Sequence, residues 1–313
     1  MVDAMASGSE PGSPPRPVLP SGPGDPPVPG RRLSLPPPAP PQARRRSLGA
    51  HSARSLLLTV LGEYVLPGGE PVWTAGLIAV MAELGVGEKA ARQALGRTAA
   101  EGWIVSRRDG RHARWRLTDS GRRLLADGAS RIYSFGRERR DWDGRWVVLL
   151  VSGPHGGREL RRQLGTRLTW AGFGELLSGA WVCPDARREP EAAAILAELG
   201  LASTSMSFLA SFGAIGSQSD IIGLAWDLPA VEARYKEFID SFAALEPATH
   251  GETLVAQTLL VHEWRSFPFI DPQLPHDLLP PGWLGTQAAA LFRARHDRWQ
   301  PGAHRHFLQL CTS

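Results

Sequence analysis

Cysteine is scarce in this chain of 313 residues, which contains only Cys183 and Cys311. Two cysteines cannot build the disulfide framework that stabilises many small secreted proteins. Uncharged apolar runs of about 18 residues are also missing, which argues against a membrane-spanning helix. The first residues lack the basic start and the apolar stretch of a secretory signal. We therefore expect a protein of the cytoplasm that makes no membrane contact.

Motifs for metal binding and for hydrolysis are missing as well. The nine histidines and two cysteines show neither His-x₃-His nor Cys-x₂-Cys spacing, which are spacings found in zinc sites. No serine lies in the Gly-x-Ser-x-Gly motif of α/β-hydrolases. We predict that the chain is not an enzyme and has no catalytic residue, no metal and no bound cofactor.

Lysine is the third scarcity, because only Lys89 and Lys236 are lysines among 35 basic residues. The others are arginines, whose planar guanidinium binds phosphate through two parallel hydrogen bonds. The formal net charge is only +4, but the basic residues concentrate between 89 and 140. This distribution favours a polyanionic partner for that part of the chain.

Composition also divides the chain. Residues 1–48 are dominated by proline, glycine and serine, and such a segment cannot bury enough apolar surface to offset the entropy lost on ordering. We predict a disordered tail there. The further predicted divisions are a DNA-binding domain at 50–118, a connecting helix and linker at 119–141, an α+β domain at 142–226 and a helical domain at 227–313.

The segment 50–118 has the element order of a winged helix-turn-helix. Apolar residues at helical spacing predict three helices between Leu56 and Glu101, with glycines at their ends. Two short β-rich runs follow, and Asp109-Gly110 between them is a hairpin signal. In such a fold the third helix enters the major groove of DNA.

Candidate DNA-binding residues lie on that third helix and on the hairpin. Ala91, Ala94, Leu95 and Thr98 occupy the helix face that we expect to pack inward. Arginine and glutamine can recognise base edges and lysine suits phosphate. A short hairpin with five arginines and one aspartate is best tolerated when a polyanion binds it. The predicted DNA-binding residues are Lys89, Arg92, Gln93, Arg97, Arg107, Arg108, Arg111, His112 and Arg114.

Strands and helices alternate in the next part of the chain, which indicates a small α+β domain. The predicted strands are 146–151, 180–183 and 204–210, with helices at 157–170 and 189–199. The remaining predicted helices are 229–245, 253–263 and 284–299.

Several segments together resemble the PaaX family of phenylacetate-pathway regulators. The segments that carry the resemblance are 91–97, 101–103, 142–146, 170–174, 267–272 and 278–283. The resemblance covers roughly residues 50–300. The sequence departs from the family at Gln93 and Gly96, where small hydroxyl residues are common, and this leaves the operator sequence open.

The resemblance implies a homodimeric repressor that a CoA thioester, typically phenylacetyl-CoA, releases from a double-stranded DNA operator. It also implies a ferredoxin-like central domain similar to CRISPR-adaptation nucleases. We expect the C-terminal helices to mediate dimerisation and effector sensing. The first strand of this chain ends in Val151-Ser152-Gly153 without an acid. Two-metal hydrolysis needs closely spaced carboxylates, so we expect no nuclease activity.

Two other functions remain open at the level of sequence. One is an acyl-CoA enzyme that uses the basic hairpin as a phosphate clamp, and the other is a DNA-binding activator without a ligand. The effector residues stay unassigned. Trp170, Phe173 and Trp181 are candidates for an aromatic pocket, although core packing is the preferred interpretation, and we also prefer a structural role for His262, Glu263 and Arg265.

Overall fold

The computed structural model describes residues 52–137, 141–152 and 157–312. The predicted tail at 1–48 and part of the predicted linker lie outside these residues. The described chain forms α-helices and two antiparallel sheets, so the α+β class is confirmed. None of the described helices is both long and apolar enough to cross a bilayer.

The first region begins with a helix that Ser52 caps by accepting a hydrogen bond from the Ser55 amide. The helix changes to a π-helical turn at Leu61–Val65 and ends at Gly69, which has a positive φ. The helices of this region are α1 (Ala53–Val60), α2 (Leu66–Gly68), α3 (Thr74–Glu83) and α4 (Glu88–Ala100).

A three-stranded sheet completes this region. Its strands are β1 (Val72–Trp73), β2 (Ile104–Asp109) and β3 (His112–Leu117), in the order β1-β3-β2. Asp109 pairs with His112, so Gly110 and Arg111 form a two-residue turn. Gly110 has φ 62°, the backbone conformation that such hairpin turns require at their first position. The predicted hairpin is confirmed.

Helix α5 (Asp119–Ser134) follows and leads to a second sheet. The order of its four strands is β5-β6-β4-β7, and all neighbours are antiparallel. The sequence pattern did not predict strand β5. The elements of this region are β4 (Arg145–Val151), α6 (Gly157–Trp170), β5 (Gly174–Leu177), β6 (Ala180–Cys183), α7 (Glu189–Glu198) and β7 (Ser205–Ser211).

One face of this sheet is covered by helices. Val147, Leu149 and Val151 of β4 point to that face, because side chains alternate along a strand. They form a buried cluster with residues of α6 and α7, among them Leu168 and Ile195. Trp146 points to the opposite face and packs in a separate cluster with residues that follow β7 in the chain.

The C-terminal region is helical, as the sequence predicts. Helix α12 continues through Pro301, well beyond the predicted end at 299. The short helix α8 was not predicted. The helices are α8 (Gln218–Ala225), α9 (Leu228–Phe242), α10 (His250–Trp264), α11 (Phe267–Ile270) and α12 (Leu284–Thr312).

The end of α12 completes the core of the first region. Ala303, Phe307 and Cys311 are buried in the same cluster as the residues of α1, α3 and α4. Gly76 of α3 allows this contact, because a Cβ at that position would lie 2.6 Å from the Cα of Cys311. The first region and the C-terminal helices therefore share one apolar core.

Candidate nucleic-acid interface

Helix α4 has one buried face and one exposed face. Ala91, Ala94, Leu95 and Thr98 are buried, which confirms the predicted inward face. The four candidate side chains on the other face, Lys89, Arg92, Gln93 and Arg97, are all exposed. The small buried alanines allow α4 to pack closely on α1 and α3, so the exposed face is held in a fixed orientation.

On the exposed face of α4, Arg92 forms an ion pair with Glu88 that another partner of Arg92 can easily replace. The guanidinium of Arg92 lies 2.8 Å from a carboxylate oxygen of Glu88, and both side chains are more than half exposed. Exposed pairs of this kind contribute only about 0.3–0.5 kcal/mol. Arg92 can therefore leave Glu88 for a phosphate or a base at little cost in stability.

The hairpin places like charges opposite each other. Arg107 pairs with Arg114 across the two strands, and like charges in directly opposite positions are destabilising. The only acidic residue of the hairpin is Asp109, which lies 3.5 Å from the Arg114 guanidinium. The positive potential of the hairpin is therefore only partly neutralised by its own residues.

The five hairpin arginines do not all share one face. The register places Arg107, Arg114 and Arg116 on the same face of the hairpin, whereas Arg108 lies opposite Ala113 on the other face. Arg111 lies in the turn. If such a hairpin lies along a duplex, its tip and one of its faces would contact the phosphate backbone.

Trp73 holds two of the candidate side chains in place. The Arg114 guanidinium lies 3.8 Å from the centre of the Trp73 ring, and the His112 ring meets Trp73 edge-on at 5.9 Å. A cation over an indole face is attracted by the ring quadrupole. Arg114 is thus only half exposed, whereas Arg107, Arg108 and Arg111 are exposed.

A polar contact fixes the hairpin to the start of α3. The Trp115 indole donates to the Thr74 hydroxyl oxygen at 2.9 Å, and this hydroxyl donates to the Ala113 carbonyl at 2.9 Å. Neither Trp73 nor Thr74 was singled out from the sequence. The only available signal was a tryptophan before a predicted helix, which does not reveal a partner 40 residues away.

A second cluster, which we call the buried joint, consists of Glu63, Tyr133, Gln257, His296 and His304. Glu63 lies in the π-helical turn and is only 5% exposed. Its carboxylate accepts hydrogen bonds from the Tyr133 hydroxyl and, at 2.8 Å, from the Gln257 amide. The two histidines of α12 lie 3.3 and 3.9 Å from the same carboxylate oxygen.

Electrostatics favour the charged form of this carboxylate despite its burial. Burial raises the pKa of Glu63, but the hydrogen bonds and charge supplied by His296 and the other partners outweigh it, so that the pKa falls below the usual value of a glutamate. Burial lowers the pKa of His304 below the usual value of a histidine. The joint connects the π-helical turn and α5 with α10 and α12.

Two further contacts cross the same boundary. The Thr59 hydroxyl lies 2.9 Å from Nδ1 of His262, and the Arg265 guanidinium donates to the hydroxyl of Ser55. Burial lowers the pKa of Arg265 to about 10. These contacts agree with the structural role that we preferred for His262 and Arg265.

The three candidates for an aromatic pocket, Trp170, Phe173 and Trp181, do not lie together in the structure. Phe173 and Trp181 are buried in the core beneath the second sheet, as preferred from the sequence. Trp170 is half-buried and lines a small cavity together with Arg188 and Phe269. This cavity does not include the other two aromatic candidates.

Three family models match successive parts of the chain. The model described as PaaX-like protein matches residues 52–121, and the PaaX protein central Cas2-like domain matches 139–222. The PaaX-like protein C-terminal domain matches residues 226–309. Together these matches cover most of the chain.

A curated protein and a solved structure are also similar. The transcriptional repressor PaaX of Escherichia coli (strain K12) is 31% identical over 263 residues, which are 80% of this chain and 82% of that protein. The structure of the uncharacterized protein Rv0674 from Mycobacterium tuberculosis is 27% identical, with a TM-score of 0.54. That match covers 83% of this chain and 98% of the other.

Proposed function

The chain belongs to the PaaX family of transcription regulators, and from this premise we propose that it represses an aromatic-acid catabolic operon by binding its operator. It is a regulator and not an acyl-CoA enzyme, because the relative that covers most of its length is a transcriptional repressor. We assign operator binding to a winged helix-turn-helix formed by residues 50–118.

The observation that carries this proposal is the exposed cationic surface of α4 and the hairpin. We call the nine candidates together the reading surface, with Arg108 on the other face of the hairpin and Arg114 partly covered by Trp73. They are Lys89, Arg92, Gln93, Arg97, Arg107, Arg108, Arg111, His112 and Arg114. Repulsion between Arg107 and Arg114 is relieved when phosphates approach. Each neutralised phosphate also releases counterions and so favours binding at low salt.

The exposed groups of α4 are chemically suited to base recognition. Arg92 and Arg97 can donate two hydrogen bonds to a guanine edge, and Gln93 can bond an adenine edge. A dimer would present two such helices to half-sites related by pseudo-twofold symmetry. We therefore propose a homodimer on a palindromic operator.

We further propose that an aryl-CoA thioester, such as phenylacetyl-CoA, releases the repressor. An effector must bind the form that cannot hold DNA more tightly than the competent form. A coupling of about 1–3 kcal/mol would weaken operator binding about 5–150-fold. The family resemblance supports this effector class, and the shared core gives the C-terminal helices a direct contact with the DNA-binding elements.

The proposal is tested by footprinting genomic DNA with the purified chain, with and without a panel of aryl-CoA esters. We expect protected palindromic sites near genes for aromatic-acid degradation, and loss of protection with one ester. Failure to protect any site would refute operator binding. Protection that no ester changes would instead indicate a regulator without this ligand, and the sign of regulation follows from reporter transcription.

A further inference from the structure

Two residues at the junction of β1 and α3 contact four consecutive residues of the hairpin. The ring of Trp73 supplies two of these contacts, and the hydroxyl of Thr74 supplies the other two. We call Trp73 and Thr74 the hairpin anchor. The residues that the anchor contacts, all in β3, are His112, Ala113, Arg114 and Trp115.

The other strand of the hairpin adds little support of its own. Only Ile104, the first of the six residues of β2, is buried, and the remaining five are exposed. Within the described chain, β2 pairs with β3 and with no other strand. The outer half of the hairpin therefore depends on the anchor for its orientation.

The anchor also connects the hairpin to helix α4. Helix α3 begins at Thr74, and its buried residues share one apolar core with those of α4. The two elements that carry the reading surface are therefore joined through α3. Groups that are held in place before binding lose less conformational entropy when the partner arrives.

Three side chains of the small sheet lie in one row. Trp73 pairs with Arg114, and Arg114 pairs with Arg107, so all three side chains point to the same face of the sheet. The Arg114 guanidinium lies 3.8 Å from the centre of the Trp73 ring, whose quadrupole attracts a cation. This attraction offsets part of the repulsion between the two arginines.

The stack on Trp73 leaves the hydrogen-bond donors of Arg114 available. Its Nε atom is covered and has no hydrogen-bond partner among the residues that the structure describes. Its ion pair with Asp109 spans 3.5 Å, and both side chains are more than 40% exposed. Because the ring contacts the flat face of the guanidinium, the N–H groups at its edge can still bind a phosphate.

We propose that Trp73 is a positioning residue for DNA binding, which holds Arg114 and the hairpin in the orientation that a duplex requires without itself touching the duplex. This role rests on the proposed operator binding. Since Trp73 carries no charge, it changes the cost of ordering the hairpin and leaves the number of neutralised phosphates unchanged. Its effect on affinity should therefore be the same for every DNA sequence.

The first test is a gel-shift titration at several salt concentrations, with the footprinted operator fragment and a random-sequence duplex of the same length. Trp73→Leu should bind both about three- to tenfold more weakly, since it removes the aromatic face. The slope of log affinity against log salt should not change, because it counts phosphate contacts. Trp73→Phe keeps an aromatic face and should bind more tightly than Trp73→Leu.

Trp142→Leu is the matched control, because Trp142 is also half-buried and stacks edge-on against Trp146 of the second sheet. It should bind both duplexes as the wild type does. The urea midpoint of each variant is measured alongside. Trp73→Leu should keep its midpoint within the spread of the control.

A double-mutant cycle shows whether Trp73 acts through Arg114. In the Arg114→Ala background, Trp73→Leu should change DNA affinity less than about twofold, because the group that it positions is missing. Amide hydrogen exchange gives an independent measure. Residues 104–117 should exchange faster in free Trp73→Leu than in the free wild type, and equally in the two DNA complexes.

Wild-type affinity of Trp73→Leu would overturn the proposal, and so would full additivity with Arg114→Ala, which would indicate a separate contact of Trp73 with DNA. A fall in the urea midpoint that accounts for the lost affinity would reduce Trp73 to a structural residue. If Trp73→Leu does not fold, the cycle is run with Trp73→Phe, and additivity there again contradicts the role. A wild-type chain that binds neither duplex would instead refute the proposed DNA binding itself.

Discussion

The reading surface and the buried joint use charge in opposite ways. On the reading surface, arginines are exposed and their acidic partners are few and weakly bound. In the buried joint, one carboxylate is surrounded by donors from three other helices. A solvent-exposed charge without a fixed partner costs little free energy. A buried carboxylate, in contrast, needs hydrogen-bond donors to offset the loss of water. Substitutions in the two places should therefore separate DNA affinity from stability.

The largest effect on stability is expected at the buried joint. Glu63→Ala leaves the Tyr133 hydroxyl and the Gln257 amide buried without their acceptor, so we expect a loss of about 2–4 kcal/mol in the free energy of unfolding. Urea denaturation measures this loss. Glu70→Ala is the control, since Glu70 is exposed, and an equal effect from both variants would remove the distinction between the two regions.

On the reading surface, affinity should change and stability should not. Arg92→Ala and Arg97→Ala should each weaken binding to the footprinted operator by about 1–3 kcal/mol if they contact bases, with an unchanged urea midpoint. Gel-shift titration measures the affinity. Lys236→Ala on α9 removes a cation elsewhere and should bind as wild type. Operator affinity that neither arginine variant alters would exclude α4 as the recognition helix.

Acidification should weaken the buried joint. Burial lowers the pKa of His304 in the folded chain, so the unfolded chain takes up the proton first. The stability from this group is present above about pH 6.5 and is lost as the pH falls through the lower folded pKa. Glu63, whose folded pKa is also lowered, adds a further loss below about pH 4.3.

This pH effect is measured by urea denaturation between pH 7.5 and pH 5, a range set by the reference pKa values. His304→Gln should flatten the curve in that range, because it removes the titrating group. A wild-type stability that is constant over this range would contradict the role of His304.

The smallest effect is expected at the hairpin tip. Arg111→Ala should weaken binding to all DNA sequences alike and reduce the slope of log affinity against log salt by about 0.9, the value of one phosphate contact. Arg114→Ala should in addition disturb the hairpin, because Arg114 stacks on Trp73. An unchanged slope for Arg111→Ala would show that the tip does not touch the backbone.

Sequence reasoning succeeded where a local pattern decides the structure. The inward face of α4 follows from residue spacing, and the turn at Asp109-Gly110 follows from the backbone freedom of glycine. The stack of Arg114 on Trp73 and the partners of Glu63 could not be predicted in this way. They join residues from 41 to 241 positions apart in the chain, and no periodicity encodes such contacts.

Helix α12 shows why local rules fail at an element boundary. Proline removes one helical hydrogen bond, and the predicted helix ends at 299, two residues before Pro301. The helix continues because residues beyond Pro301, including Phe307, are buried in the core of the first region. Tertiary burial here outweighs a local cost of about 3 kcal/mol. The domain limits and the roles of the nine candidate DNA-binding residues stay predictions.

The contact between Gly76 and Cys311 has a consequence for biosynthesis. Domains generally fold in the order in which the ribosome makes them, but the core around α3 lacks Phe307 and Cys311 until more than 200 further residues have been translated. Until then, part of the apolar surface of the nascent first region stays exposed to solvent. A premature stop codon shortly before the codon of Phe307 would therefore destabilise a segment encoded more than 200 codons earlier.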